Sequence, residues 1–325
     1  MNSEKAKIRK RDVDLLRALG IIIMVLGHVG VGVGFDKFIH AFHMPMWFII
    51  SGYFYKENTD IKCYVKKKMY ALFVPYIVFG IAFELLLTST ISDGKWYQAL
   101  LFPNIYANGV QWFLPALMFA DIIPYFVLHA FSSKIGIVLC LCIGLFGTFH
   151  LCTMPLAIDS ALVGVGFFAI GIIVRKHEQY ILSIRGIKLW LLMMTSFLLI
   201  FANGYVNMRT NQYSLIVLFW INATAATITL WNICKIVVDC KYNYHISSVF
   251  FNIGSESIIY PLTNHVIIRY MNLIVGSGLH GVFMIIWKMF LFIFVMVVCY
   301  YLNKIIRKSS LGWVVGAMSH LSSHE

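Results

Sequence analysis

The chain has 325 residues, of which 60% are hydrophobic and 12% are charged, and its mean hydropathy is +0.80. Soluble proteins carry about 25% charged residues, so this composition excludes an ordinary soluble enzyme. The net charge of +12 does not indicate a nucleic-acid partner, because the lysines and arginines form short clusters between apolar runs, as in the cytoplasmic loops of membrane proteins. The sequence therefore predicts an all-α, polytopic integral membrane protein built as a helical bundle.

Ten apolar runs are predicted to cross the bilayer as helices. They cover approximately residues 14–34, 38–55, 69–90, 111–131, 134–152, 156–174, 187–203, 213–235, 246–268 and 281–303. An even number of spans places both termini on one side, and a cytoplasmic N-terminus puts most of the 26 lysines and arginines in cytoplasmic segments, as the positive-inside rule requires. We therefore predict an N-in, C-in protein with one transmembrane domain, residues 1–308, and a short C-terminal tail, residues 309–325.

The seven cysteines predict neither a disulfide framework nor a zinc site, because no two have C-x-x-C spacing and most lie in or beside apolar runs. Three carboxylates fall inside predicted spans, Glu84, Asp121 and Asp159, and none has a metal-ligand companion at i,i+3 or i,i+4. We expect each to pair with a buried partner, and no metal is predicted.

The first span carries ionisable residues inside its apolar run, namely Asp14, Arg17 and His28. Arg17 and His28 are separated by about 1100° of helical rotation, so their side chains share one face about 16 Å apart. Asp14 precedes Arg17 at i,i+3 spacing, which allows an ion pair. Ionisable groups at membrane depth usually face a protein interior or a water-filled cavity. A polar stripe on this helix is therefore predicted to face such a cavity.

His28 is the candidate catalytic base of this stripe. With a cytoplasmic N-terminus it lies roughly 20 Å into the hydrocarbon core, past the midplane toward the outer side. A neutral imidazole is the natural general base near pH 7. The alternative is a packing histidine that hydrogen-bonds a neighbouring helix, but the aligned Asp14 and Arg17 favour a functional role.

Several motifs together resemble the acyltransferase family 3 membrane proteins, and within them the fucose 4-O-acetylase-like branch. The first is a basic residue, ten intervening residues and a histidine, which Arg17 and His28 match. The others, in chain order, are FHMPMWFIISGY from Phe42 to Tyr53, WFLPALMF from Trp112 to Phe119, LVGVGFFAIGIIVRK ending at Lys176, and IGSESIIYPLTNH from Ile253 to His265. The last block departs from the family pattern at Glu256 and Pro261. The resemblance covers nearly the whole chain.

The resemblance implies an O-acyltransferase of the bacterial cytoplasmic membrane. Its donor is an acyl-CoA, usually acetyl-CoA, taken from the cytoplasm, and its acceptor is a sugar hydroxyl on a cell-envelope polysaccharide or a lipid-linked glycan precursor. In this interpretation His28 removes the acceptor proton, Arg17 binds the pyrophosphate or pantetheine arm of the donor, and Asp14 orients Arg17. Lys66, Lys67 and Lys68 either attract the coenzyme A phosphates or serve only as a cytoplasmic topology signal.

Four further residues are candidates for substrate binding. His43 lines the same cavity as His28 or caps the interface, and Trp112 stacks on a sugar or anchors the helix at the membrane boundary. Ser51 precedes Gly52, a pair that favours close helix packing over a nucleophilic serine. His265 hydrogen-bonds the acceptor or is an interfacial histidine.

Two other function classes compete with the enzyme. A secondary transporter or flippase uses buried charges as a substrate or proton pathway, but no inverted repeat is visible in the sequence. A membrane sensor or scaffold does not require the polar stripe. Transport predicts substrate flux without release of coenzyme A, and a scaffold predicts that His28→Ala leaves function intact.

Overall fold

The computed structural model describes residues 10–57, 59–87, 96–105, 111–240, 244–256, 258–275 and 278–315. Within these ranges the chain is almost entirely helical. The helices are α1 (Arg11–Val29), α2 (Val33–Tyr53), α3 (Ile61–Lys68), α4 (Val74–Leu87), α5 (Trp96–Leu101), α6 (Phe113–Ala130), α7 (Ser133–Gly147), α8 (Ile158–Lys176), α9 (Glu178–Ile181), α10 (Gly186–Asn203), α11 (Ile216–Asp239), α12 (Tyr244–Ser255), α13 (Ile259–Val275) and α14 (Gly281–Lys308). The prediction of an all-α fold is confirmed.

Among the described residues, five helical segments are long and apolar enough to cross a membrane: α6, Pro155–Lys176, α10, α11 and α14. The segment Pro155–Lys176 contains α8 and a preceding 3-10 turn, Pro155–Ala157. The other predicted spans overlap helices, but α1 and α2 carry charged and histidine residues, and α7 has only 15 residues. The chain is a helical membrane protein, and the count of ten spans and the N-in orientation remain predictions.

The predicted ninth span, residues 246–268, is wrong as a single helix. It is divided into α12 and α13, and Glu256 and Ile258, which lie between these helices, have turn conformation. Pro261 explains the restart, because proline lacks a backbone N–H and is tolerated in the first turn of a helix but not in its interior. By contrast α2 runs without a break through Pro45.

Close backbone contacts bring α1, α2, α8 and α12 together. A methyl group on Gly52 of α2 would lie 1.9 Å from the main-chain oxygen of Phe168 in α8. A methyl group on Gly254 of α12 would lie 1.7 Å from the main-chain oxygen of Asp14 in α1. Small residues that permit such approaches are typical of membrane helix pairs. The prediction that Ser51-Gly52 serves close packing is therefore supported at Gly52.

A β-hairpin and a short C-terminal element complete the described fold. Strands β1 (Val206–Asn207) and β2 (Gln212–Tyr213) are antiparallel, with Val206 opposite Tyr213, and they connect α10 to α11. After α14, Ser310–Val315 forms a 3-10 helix in which Val314 and Val315 are buried. Part of the predicted tail therefore packs against the bundle.

Candidate active site

One face of α1 lines two cavities in succession. Arg17, Ile21 and Met24 line the first cavity, and His28 lines the second. The steps of four, three and four residues between them keep all four side chains on one face of the helix. The predicted stripe from Arg17 to His28 therefore faces the protein interior.

The first cavity, which we call the Arg17 cavity, has a volume of about 300 Å³. Two guanidinium groups line it, Arg17 of α1 and Arg307 of α14. Its other walls are mostly apolar and include Ile21, Met24, Met44, Trp47, Ile50 and Leu117. The predicted substrate residue Ser51 also lines this cavity, so it lies with Arg17 and not with His28.

Each of the two arginines stands near a carboxylate. Arg17 Nη1 lies 4.0 Å from Asp14 Oδ1, so the predicted i,i+3 pair is present at ion-pair distance, and Asp14 is buried. Arg307 Nε lies 3.6 Å from Glu256 Oε2 and donates a hydrogen bond to Asn303 Oδ1 at 3.0 Å. The unexpected Glu256 of the late motif is therefore a partner of Arg307.

The second cavity, which we call the His28 cavity, has a volume of about 190 Å³. The structure brings four residues singled out from the sequence to this cavity: His28, His43, Trp112 and His265. Sequence reasoning missed the others, His40, Met44, Asn207, Met208 and Arg209. The last three come from the β-hairpin, which no motif in the sequence identifies as part of a site. Despite the four histidines, no group of three or more His, Cys, Asp or Glu side chains among the described residues is arranged to hold a metal ion.

Asn264 determines which ring nitrogen of His28 carries the proton. Its Oδ1 lies 2.6 Å from His28 Nδ1, while its Nδ2 donates to the main-chain oxygens of Tyr260 at 2.6 Å and Pro261 at 3.3 Å. Because the amide nitrogen is held by two carbonyl acceptors, the amide oxygen must face His28, and Nδ1 must carry the proton. The Nε2 atom of a neutral His28 is then the proton acceptor. Asn264 is fully buried, so this orientation is enforced by its surroundings.

The remaining histidines surround this imidazole. The ring centroids of His28 and His265 are 4.1 Å apart, and those of His40 and His43 are 5.9 Å apart. The buried His43 places Nδ1 2.9 Å from the main-chain oxygen of Ile39, so its Nδ1–H donates there and Nε2 is left as an acceptor. His40 Nδ1 lies 2.9 Å from the main-chain oxygen of Asp36.

Met44 is the one residue common to the linings of the Arg17 and His28 cavities. The two cavities therefore adjoin at its side chain.

The buried carboxylate Asp121 organises the predicted residues Lys68 and Ser51. Lys68 Nζ lies 2.5 Å from Asp121 Oδ2, and Ser51 donates a hydrogen bond to Asp121 Oδ1 at 2.5 Å. Lys68 is thus held by Asp121 and does not line the Arg17 cavity, whereas Lys66 and Lys67 are exposed. The hydroxyl of Ser51 therefore donates a hydrogen bond to Asp121, and Ser51 also lines the Arg17 cavity.

Asp159 lines neither cavity but is connected through Asn104 to Arg209 of the His28 cavity. Asp159 accepts a hydrogen bond from Asn104 Nδ2 at 2.6 Å and another from the main-chain nitrogen of Ser160 at 2.9 Å. Nearby, Arg209 Nε donates to the main-chain oxygen of Asn104 at 2.9 Å, and burial lowers the pKa of this guanidinium. The side chain of Glu84 lies outside the described residues.

The fold and the site together define a helical membrane protein with two adjoining cavities, one lined by two arginines and one lined by four histidines. A family model described as an acyltransferase domain, that of the acyltransferase 3 family, matches residues 10–304. The chain therefore belongs to this family and is a membrane acyltransferase, and the resemblance to the family is confirmed. Comparison with curated proteins and with solved structures found no match.

Proposed function

We propose that this protein is an O-acyltransferase that moves an acetyl group from cytoplasmic acetyl-CoA to a sugar hydroxyl of a cell-envelope polysaccharide or its lipid-linked precursor. His28 acts as the general base. The observation that carries the proposal is the meeting of the Arg17 and His28 cavities at Met44. A donor that enters past the arginines reaches the imidazole at the point where the acceptor cavity begins. We also propose that the chain belongs to the fucose 4-O-acetylase-like branch of the family.

The Arg17 cavity has the chemistry to bind the donor. Guanidinium groups form bidentate hydrogen bonds to phosphate oxygens, and Arg17 and Arg307 both line the cavity. The apolar walls formed by Trp47, Ile50 and Leu117 suit the pantetheine arm. Asp14 orients Arg17, and the exposed Lys66 and Lys67 attract the anionic nucleotide to this side of the protein.

The His28 cavity has the chemistry to activate an acceptor. The hydroxyl of the acceptor gives its proton to His28 Nε2 while its oxygen attacks the thioester carbonyl carbon. When the tetrahedral intermediate collapses, the C–S bond breaks, and the departing coenzyme A thiolate receives the proton from Nε2. The Nδ1–H bond to Asn264 stays in place throughout and stabilises the transient imidazolium. General-base catalysis of this kind contributes roughly 10²- to 10⁴-fold in rate.

The acceptor contacts Trp112, His43 and His265 in this proposal. Trp112 offers an aromatic face, and the Nε2 atom of His43 is an acceptor for a sugar hydroxyl because its Nδ1 is bound to Ile39. The ring of His265, with its centroid 4.1 Å from that of His28, is placed to bind the same sugar.

The test is acetyl transfer by the purified protein in nanodiscs, with acetyl-CoA and envelope glycan precursors as acceptors. We expect coenzyme A release that depends on the acceptor and a stoichiometric O-acetyl product. In proteoliposomes, movement of a glycan without coenzyme A release would instead identify a transporter or flippase. Coenzyme A release without any acetylated glycan would contradict the acceptor class but not the use of the donor.

A further inference from the structure

A third cavity, of about 500 Å³, lies where α2 and α8 end and shares no lining residue with the Arg17 or His28 cavities. We call it the Arg175 cavity. Three cations line it, Lys56, Arg175 and Lys176, against a single carboxylate, Glu57. This cavity therefore carries a net positive charge, and nothing in the proposed acyl transfer uses it.

The cations of this cavity are anchored by neutral groups. Arg175 Nη1 donates to the main-chain oxygen of Tyr55, and Lys176 Nζ donates to Ser133 Oγ at 2.8 Å. Across the described ranges, no carboxylate lies within ion-pair distance of Lys56, Arg175 or Lys176.

Three other basic residues near the predicted cytoplasmic ends of helices are paired with carboxylates: Lys10 with Glu178, Lys68 with Asp121, and Arg185 with Asp239. At the Arg175 cavity three cations converge on one lining that contains a single carboxylate, Glu57. The buried hydroxyl of Tyr55, another lining residue, also has no hydrogen-bond partner among the described residues. Positive charge and an unused donor at one wall are the features of an anion site.

The position of the Arg175 cavity at the end of α8 indicates which class of anion it binds. Arg175 and Lys176 are the last two residues of α8, which lies in a segment long and apolar enough to cross a membrane. In the predicted N-in orientation, this end of α8 is at the level of the cytoplasmic lipid headgroups. Leu128 and Ile172 add apolar wall to the same cavity. Basic pockets between membrane helices at the cytoplasmic boundary are suited to anionic lipid headgroups. We propose that the Arg175 cavity binds the phosphate of an anionic phospholipid headgroup. This proposal does not depend on the proposed acyl transfer.

The experiment is native mass spectrometry of the full chain with phosphatidylglycerol titrated against phosphatidylcholine, in parallel with inorganic phosphate. The test variant is Arg175→Gln/Lys176→Gln. The matched control, Lys134→Gln/Lys188→Gln, removes two exposed cations that do not line the cavity. We expect one phosphatidylglycerol to be retained in preference to phosphatidylcholine, with its dissociation constant raised about 30-fold in the test variant and less than twofold in the control.

Three outcomes overturn the proposal. Equal weakening in the test and control variants would show diffuse surface attraction, and unchanged binding in the test variant would place the lipid elsewhere. Inorganic phosphate that competes at concentrations similar to the lipid would make the ligand a soluble anion. If the double variant does not fold in phosphatidylcholine nanodiscs, the single variant Lys56→Gln decides, with an expected weakening of about fivefold.

Discussion

Asn264 Oδ1 lies 2.6 Å from His28 Nδ1, across more than two hundred residues of sequence, and Asn264 is held in that orientation by the main-chain oxygens of Tyr260 and Pro261. Asn264 lies in α13, and its amide reaches His28 near the end of α1. The imidazole therefore presents Nε2 to the cavity as its basic atom.

Removal of the orienting amide lowers the rate of transfer. We expect Asn264→Ala to reduce kcat by about 10- to 100-fold with little change in KM for acetyl-CoA. The substitution misaligns the imidazole with the acceptor hydroxyl but leaves the binding site of the donor unchanged. Asn264→Asp retains an acceptor for Nδ1–H but loses the donor to the main-chain oxygens of Tyr260 and Pro261, so it should recover only part of the loss. Thr263→Val alters the neighbouring residue of α13, whose hydroxyl bonds to Ile259, and serves as the control. Equal kcat in Asn264→Ala and wild type would exclude the orienting role.

Shortening Met44 widens the junction between the two cavities. We expect Met44→Ala to raise the ratio of butyryl to acetyl transfer by about tenfold, since room for one or two methylene groups changes discrimination by roughly 10- to 200-fold. Met46→Ala removes the same side chain from a fully buried position outside both cavities. Competition assays with the two acyl-CoA donors measure the ratio. A similar change in both variants would mean that loosened packing, and not the junction, sets acyl length.

The two arginines act on the phosphates of the donor. Arg17→Ala and Arg307→Ala should each raise KM for acetyl-CoA by about tenfold or more, because a charge-assisted hydrogen bond contributes roughly 1.5–3 kcal/mol. S-acetylpantetheine lacks the pyrophosphate, so with this donor both variants should match wild type. Arg185→Ala, which removes an arginine paired with Asp239, is the control. A loss that persists with S-acetylpantetheine would assign the arginines a different role.

Two glycines of α2 have opposite tolerance for a methyl group. Gly52→Ala places Cβ 1.9 Å from the backbone of α8 and should destabilise the protein by more than about 3 kcal/mol, the upper end of ordinary overpacking. Gly34→Ala meets no atom within 4 Å and should be neutral or slightly stabilising. Thermal unfolding in detergent compares them. Equal stability of the two variants would contradict the close approach of α2 and α8.

Acid weakens a contact between the end of α2 and α9. Burial alone raises the pKa of Glu178, but hydrogen bonds from Tyr53 and Lys10 lower it below its usual value. A depressed pKa in the folded state means that the stabilisation is present above the unfolded pKa, near 4.5, and is lost as pH falls through the folded value. The drop in melting temperature below about pH 4.5 should therefore be smaller in Glu178→Gln than in wild type. Parallel acid profiles of the two proteins would contradict this linkage.

The sequence alone predicted the half of the site that lies on one helix. The 3.6-residue period fixed Arg17 and His28 on one face, and the family motifs brought His43, Trp112 and His265 into consideration. Their partners were not predictable from the sequence. Local periodicity carries no information about contacts between distant segments, so Asn264, Arg307 and the hairpin residue Arg209 were missed.

The partners of buried charged residues also cannot be predicted from the sequence. The sequence names no partner for Asp121, and it groups Lys68 with its loop neighbours, either as part of a coenzyme A site or as a topology signal. The structure joins these two residues at 2.5 Å because α3 packs beside α6, an arrangement that neither segment specifies by itself. The continuous ninth span was wrong for a local reason, since Pro261 was a visible signal for a new helix.

The most direct test of the central claim is the turnover of acetyl-CoA with a glycan acceptor by His28→Ala in nanodiscs. The control is His129→Ala, which removes a histidine that bonds to the main-chain oxygen of Tyr125 and lines neither cavity. We predict that His28→Ala lowers kcat about 10²- to 10⁴-fold while His129→Ala retains wild-type turnover. Turnover by His28→Ala within a factor of a few of wild type would contradict His28 as the general base.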